Sequence, residues 1–170
     1  GMHFPYFRSH PKEYKIFTPA LEPGEPMNDR EKSLNSYMNG IRWSVDDWFE
    51  GLLSENGDFK SYVIIYSSDH GQNIVDDGTL ATHCRPMANR FEGIVPMMVF
   101  SNDEKIIEEY EVVQVVNYNK TSHFQIFPTL LRLAGYQGEW VKDHYGLSLS
   151  EPVDTPPTFF VGDLHGRGSV

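Results

Sequence analysis

The run Tyr62-Val-Ile-Ile-Tyr66, between Ser61 and Ser67 and followed at once by Ser68-Asp-His-Gly-Gln72, constrains this chain more than any other stretch. β-Branched and aromatic side chains without polar alternation suit a central strand covered on both faces, and such a strand calls for helices on either side. Asp69, His70 and Gly71 then fall just past the strand's carboxyl end, where sites collect in open α/β sheets. Adjacent residues of a strand point to opposite faces, but on a tight turn both side chains converge on one ion. Asp offers hard oxygen and His an imidazole nitrogen. That mixed donor set suits zinc or manganese and tolerates other divalent ions such as calcium or magnesium. Gly71 allows a sharp turn or a close approach. For the bare tripeptide, the bland alternative is an Asp–His turn capping a neighbouring helix.

The elements around this run are predicted from punctuation and period. Residues 1–27 carry Pro11, Pro19, Pro23 and Pro26 and read as irregular. Asn28 or Asp29 caps a predicted helix in which Leu34, Met38, Ile41, Val45, Trp48, Phe49 and Leu52 recur at helical spacing, and Glu55-Asn-Gly-Asp58 ends it. Residues 72–93 lack periodicity and read as a long loop. Ile94–Phe100 is a second predicted strand, with Pro96 near its start arguing for an edge or a bulge. Asn102-Asp-Glu opens a short helix through Tyr110, and Val112–Val116 reads as another short strand. Thr121–Gly135 is a helix that ends on its glycine, with Pro128 marking a kink or the true start. The last apolar run is Thr158-Phe-Phe-Val161. Strand and helix in alternation predict a layered α/β fold.

Composition narrows the partners. A formal net charge of -10 over 170 residues opposes nucleic acid phosphates, so no nucleic acid partner is expected. Hydrophobic residues at 39% are enough for a packed core. The single cysteine, Cys84, allows neither an internal disulfide nor a Cys-based zinc motif and reads as a small packed side chain. The apolar runs are too short to cross a bilayer. Gly1 ahead of Met2 reads as a tag remnant.

In their order, these landmarks resemble the C-terminal half of the sulfatase/alkaline-phosphatase superfamily. There, a strand leading into SDHGE is followed by a loop His, a VPLIV-like strand and an SHxDIFPTLLxLAG helix. This chain matches with Ser68-Asp-His-Gly-Gln72, His83, Ile94-Val-Pro-Met-Met-Val-Phe100 and Ser122-His-Phe-Gln-Ile-Phe-Pro-Thr-Leu-Leu-Arg-Leu-Ala-Gly135. The resemblance covers nearly all of residues 1–149. Within the superfamily, the phosphoethanolamine-transferase-like branch is the most similar. Met2–Pro19 is similar to its GSHGPYxxRYPxxFxxFTP segment and Leu34–Phe49 to its LxNxYxNxIxYTDxxL helix. A lipoteichoic-acid-synthase-like branch shares the His-x-Pro-Tyr portion.

The resemblance implies an alkaline-phosphatase-like layered fold, with a central, largely parallel or mixed sheet flanked by helices. Residues 1–170 would form the C-terminal portion of one such domain. It implies a divalent metal held by Asp69 and His70, and a phosphate contacted by His3 and His83. The nucleophile (a Thr, Ser or formylglycine) and the remaining acidic ligands would lie upstream, so this chain alone should be inactive. The implied activity is metal-dependent transfer of a phosphoryl or phosphoethanolamine group. The implied substrate is a phosphate or sulfate ester, lipid-linked in this branch, on the periplasmic or extracytoplasmic face of the inner membrane. Three alternatives are a sulfatase of the same fold, a binding module that has lost the nucleophile, and a plain structural domain with an accidental Asp–His turn. A fragment of such a domain leaves an apolar sheet edge or face bare, which favours self-association. Three departures stand out: Gln72 replaces the motif's Glu, His83-Cys84 replaces a His-Gly, and no C/S-x-P-x-R signature occurs.

Phe160-Val-Gly-Asp-Leu-His-Gly166 mimics a calcineurin-type metal motif, but that family's later motifs are missing and the segment reads as a strand end with an exposed His165. His123 reads as structural, bonded to backbone, and His10 and His144 as exposed. The run Asp103–Glu109 reads as a solvated helix face.

Overall fold

In a computed structural model, the chain is described over residues 2–55, 60–79, 82–83, 88–154, 159, 161–162 and 168–169. It divides into two compact units. The first takes Gly1–Phe59, Ser68–Val95 and Val161–Ser169, and the second takes Lys60–Ser67, Pro96–Phe160 and Val170.

In the first unit, the Asp29 carboxylate accepts from the Lys32 amide at 3.1 Å and caps helix α1, Arg30–Ile41. A π turn over Arg42–Asp46 carries it into α2, Asp47–Glu55. The predicted helix is therefore present, but its fully buried face is not the predicted apolar one. Ser33, Ser36, Asn39 and Gly40 are buried, whereas Met38, Trp43 and Trp48 are exposed. The reason lies in the proline-rich segment before the helix, where the backbone of Ile16–Leu21, after 3-10 turns at Tyr6–Arg8 and Lys12–Tyr14, belongs to no sheet or helix and must be paired elsewhere. Asn39 Oδ1 accepts from the amides of Ile16 and Phe17 at 2.9 and 2.8 Å, and its Nδ2 donates to the Phe17 carbonyl at 3.0 Å. Ser36 Oγ accepts from the Leu21 amide at 2.8 Å, and Asn35 donates to the Pro19 carbonyl at 2.8 Å. The apolar core of this unit gathers Met2, Tyr6 and Ile74, with Leu34, Tyr37 and Ile41 packed against it. At Gly40 an added Cβ would meet the Met2 sulfur at 1.9 Å, so the flexible Met2 side chain would have to shift.

In the second unit, strand β1, Val63–Ser67, pairs antiparallel with β2, Met97–Ser101, from Val63↔Ser101 to Ser67↔Met97. All ten residues are half-buried rather than enclosed, and the parallel neighbours expected of a central strand are not among the described residues. The second strand starts later than predicted. Pro96, which has no amide hydrogen to give, stands just before the ladder. Asp103 accepts from the Lys105 amide at 3.0 Å and caps α3, Glu104–Asn117.

The predicted strand Val112–Val116 is thus helical, a correction with a clear cause. A capped, Glu- and Lys-rich start propagates through four valines, of which only Val113 is buried while Val112 and Val115 stand in solvent. Ser122 begins a 3-10 turn over His123–Gln125 that leads into α4, Ile126–Leu133. Pro128 sits in the first turn of α4, where its missing donor removes no helical bond, so the helix starts there rather than kinking. Gly135 closes it at φ 89°. α5, Gly138–Tyr145, completes the unit's helices.

The residue pairs Val161–Gly162 (β3) and Gly168–Ser169 (β4), in the first unit, bridge antiparallel. Asp163 and His165 of the calcineurin-like segment lie outside the described residues, as does Cys84. Among the described residues, no helix is long and apolar enough to cross a membrane.

Candidate functional site

The turn after β1 is built on Gly71. Its amide donates to the Glu92 carbonyl at 2.8 Å, and a Cβ at this position would lie 2.0 Å from the Phe91 carbonyl oxygen and 2.6 Å from that of Ile94. Only glycine lets the two backbones meet this closely. The opposing turn, Arg90–Glu92, is itself rigid. Asn89 Oδ1 accepts from the Phe91 amide at 3.1 Å, and the buried Glu92 carboxylate accepts from the Asn89 amide at 2.9 Å.

On this base, Ser68 Oγ donates to the His70 carbonyl at 2.9 Å, and Asp69 Oδ1 accepts from the His70 amide at 3.0 Å. His70 Nδ1 lies 2.7 Å from the Gly71 carbonyl oxygen. A carbonyl only accepts, so Nδ1 carries the proton and Nε2 of the neutral ring presents a lone pair. That Nε2 is 3.9 Å from Asp69 Oδ2. The Asp69 side chain is 88% exposed and that of His70 36%. Partial burial pushes the Asp69 carboxyl up, but the His70 ring, backbone amides and the Ser68 hydroxyl outweigh it and hold the group below its ordinary value.

His3 and His83 come to the same place. The His83 ring lies 4.4 Å from that of His70 and 5.6 Å from that of His3, centroid to centroid. The His3 Nδ1 lies 2.9 Å from the Phe4 carbonyl, which again leaves Nε2 as the unprotonated nitrogen of the neutral ring. Burial, then the neighbouring rings of His70 and His3, push the His83 imidazole below its ordinary range. Asp69, His70, His83 and His3 therefore form one continuous file of contacts. Among the described residues, no group of three or more His, Cys, Asp or Glu is placed to hold one ion.

Two members of the neighbourhood escape a motif-based reading. Tyr6, fully buried, donates its hydroxyl to Gln72 Oε1 at 2.5 Å, and Gln72 Nε2 donates to the Met2 carbonyl at 2.9 Å. The one signal available was the Gln standing where the motif has Glu. Elsewhere, His123 Nε2 lies 3.0 Å from Ser67 Oγ, a side-chain contact. His10 is half-buried rather than exposed, with Nδ1 2.9 Å from the Pro11 carbonyl. His144 is exposed as expected and stacks on Trp140 at 4.5 Å.

Comparison with known proteins places this arrangement in a class. The C-terminal periplasmic domain of the phosphoethanolamine transferase EptC from Campylobacter jejuni superposes with a TM-score of 0.70 at 25% identity, over 91% of this chain and 50% of that one. The fold is the layered α/β fold of that domain. The sulfatase family profile matches residues 1–136, and the chain belongs to the sulfatase family. The phosphoethanolamine transferase EptA of Salmonella typhimurium strain LT2 is 29% identical over 149 residues, covering 81% of this chain and 27% of that protein. The Kdo(2)-lipid A phosphoethanolamine 7''-transferase of Escherichia coli K12 is 23% identical over 143 residues, covering 80% and 25%. The chain thus spans about a quarter of these relatives' length.

Proposed function

We propose that residues 1–170 are the C-terminal portion of a single sulfatase-type domain that, in the whole protein, transfers phosphoethanolamine from a lipid-linked donor, and that Asp69, His70, His3 and His83 are its contribution to the site. The observation that carries this reading is the file of four side chains, drawn from the N-terminal segment and from Ser68–Val95 of the first unit and seated on the Gly71 turn. Surface histidines have no reason to gather this way, whereas sites are assembled from separate loops on a rigid base.

The donor set fits a divalent cation. The His70 tautomer leaves Nε2 as a ligand, its Nδ1 proton is fixed by a backbone carbonyl, and Asp69 is held ionised beside it. Zinc or manganese suits this N/O pair, as two ligands of a larger set. When bound, such an ion supplies positive charge to the oxygens of the transferred group. His3 and His83, close by and outside the Asp69–His70 pair, are suited to hold phosphate oxygens or to give a proton to a leaving group. None of the assigned residues is a nucleophile. The names of the relatives point to lipid A as the kind of acceptor and to the periplasm as the location.

The test is metal titration calorimetry on the chain. Zinc or manganese should bind weakly, as two ligands of a larger set allow, and Asp69→Ala or His70→Ala should abolish that binding. His3→Ala and His83→Ala should leave the metal affinity nearly unchanged. The chain alone should show negligible turnover of aryl phosphates and aryl sulfates. Metal-dependent hydrolysis by the chain, abolished in Asp69→Ala, would refute the assignment of the nucleophile outside these residues.

A further inference from the structure

Gln72 follows the metal pair by two residues and grips the N-terminal segment with both ends of its amide. Nε2 faces the Met2 carbonyl oxygen at 2.9 Å and Oε1 faces the Tyr6 hydroxyl at 2.5 Å. The orientation is dictated by chemistry. A carbonyl oxygen only accepts, so the NH2 end must face Met2, and the oxygen end is then left for Tyr6, which donates. Tyr6 is 2% exposed and lies edge-on to Tyr37 at 5.4 Å. Burial, with Tyr37 and Asp76 nearby, raises its phenol above the ordinary range, so the donated proton stays in place. His3 lies between the two anchored residues, Met2 and Tyr6.

We propose that Gln72 is a positioning residue, which sets His3 against His83 and the Asp69–His70 pair through a clamp that needs one donor and one acceptor on the same side chain. An amide satisfies both ends at neutral pH. A glutamate would keep the Tyr6 bond but would set a carboxylate oxygen against the Met2 carbonyl, two acceptors with no proton between them. Gln72 touches none of the four site side chains through a hydrogen bond and acts through the backbone of Met2 and the ring of Tyr6. The functional weight of the clamp rests on the phosphate-binding role proposed above for His3 and His83.

The geometry is tested first without reference to function. Ring-selective NMR of the chain should show cross-relaxation between the rings of His3 and His83, and between those of His83 and His70. In Gln72→Glu and Gln72→Met, the His3–His83 signal should fall several-fold while the His83–His70 signal persists. In Tyr6→Phe, a milder variant that removes one arm, it should fall by less. Undiminished His3–His83 contact in both Gln72 variants overturns the proposal.

The second arm titrates inorganic phosphate into the zinc-loaded chain. Gln72→Met should weaken phosphate binding as much as His3→Ala, and the double variant no further, since both remove the same interaction. Zinc affinity should stay level across the Gln72 variants. Additive losses in the double variant, or a parallel fall in zinc affinity, overturn the proposal, because either would mean general loosening of the loop. If the wild-type chain binds no phosphate, the functional reading fails and the ring contacts still decide the clamp.

Discussion

The segments Ile16–Leu21 in the first unit and Leu149–Val153 in the second face the same difficulty with different chemistry. Both are irregular, both bury backbone groups, and both are fastened by side chains from a helix. In the first, the fasteners are neutral, namely Asn39 and Ser36. In the second, Asn117 donates to the carbonyls of Leu149 and Glu151 at 3.2 and 2.9 Å and accepts from the Val153 amide at 2.9 Å. Thr129 Oγ1 accepts from the Leu149 amide at 2.8 Å. A charged cluster is added there. Glu151 accepts from the Ser148 amide and hydroxyl, each at 2.9 Å, and pairs with Arg132 at 3.3 Å and Lys142 at 3.7 Å. A neutral fastening is indifferent to pH and salt, whereas an ionic one is not. In the unit that carries the candidate site, the backbone of Ile16–Leu21 is held by the indifferent kind, with an ion pair, Lys15–Glu22, only at its flanks.

The strongest test of this contrast is Asn39→Ala. It leaves two amides and one carbonyl, all part-buried, without their side-chain partner, at about 3–5 kcal/mol in total. Chemical denaturation gives the total, and hydrogen exchange at the Ile16 and Phe17 amides should localise it. A loss below about 1 kcal/mol would mean that these groups find other partners. Asn117→Ala should come next, at about 2–4 kcal/mol, with faster exchange at Val153 and none of the change at Ile16.

Glu151→Gln should follow at about 1 kcal/mol near neutrality, and its pH dependence is the sharper measurement. Burial alone would raise the Glu151 carboxyl, but the Ser148 amide and hydroxyl, Arg132 and Lys142 together hold it below its ordinary value of 4.5. A carboxyl depressed in the folded state stabilises above the unfolded value, and that contribution is lost as the pH falls through the folded one. Protection at Val153 should therefore drop on acidification below pH 4.5, with Glu151→Gln flattening the response and Ile16 not sharing it. The smallest effect belongs to Arg30→Ala. It breaks a 2.7 Å pair with Asp76 in which Arg30 is half exposed, and should cost about 0.5 kcal/mol or less, vanishing at high salt.

Much of the site was legible because its chemistry is local. The Ser68–Gln72 turn and the apolar run before it announce themselves in the order of residues, and the loop His83 and the N-terminal His3 follow from the family's spacing. The cap at Asn28 or Asp29, the helix opening at Asn102-Asp-Glu and the stop at Gly135 were equally readable, since each depends on local residues, whereas Pro128 left a kink and a start both open. What failed were inferences that needed a neighbour far along the chain. Val112–Val116 has strand-forming residues, yet the helix started at Asp103 continues through them. Leu34 and Ile41 of the predicted apolar face of α1 do pack against the core, but the most buried face bears Ser36 and Asn39, because its partner is backbone rather than apolar side chains, and no periodicity of hydrophobic residues reports that. The half-burial of His10, the Ser67–His123 contact and the Gln72 clamp are likewise invisible until distant segments meet.

Gly71 carries a consequence for how this stretch of sequence tolerates variation. The shortest possible side chain there would already sit inside the carbonyls of Phe91 and Ile94, neither of which belongs to a flexible tip that could swing aside. In a saturation library, position 71 should be nearly silent, with every replacement depleted, including alanine. Positions Gly24 and Gly78, where an added carbon meets nothing within 4 Å, restrict substitution only through their positive φ and should accept asparagine. The profile across residues 68–72 would then separate two kinds of intolerance. Loss at 69 and 70 would be one of function, with folded protein still accumulating. Loss at 71 would be one of yield, because the surface on which those two side chains stand would not form.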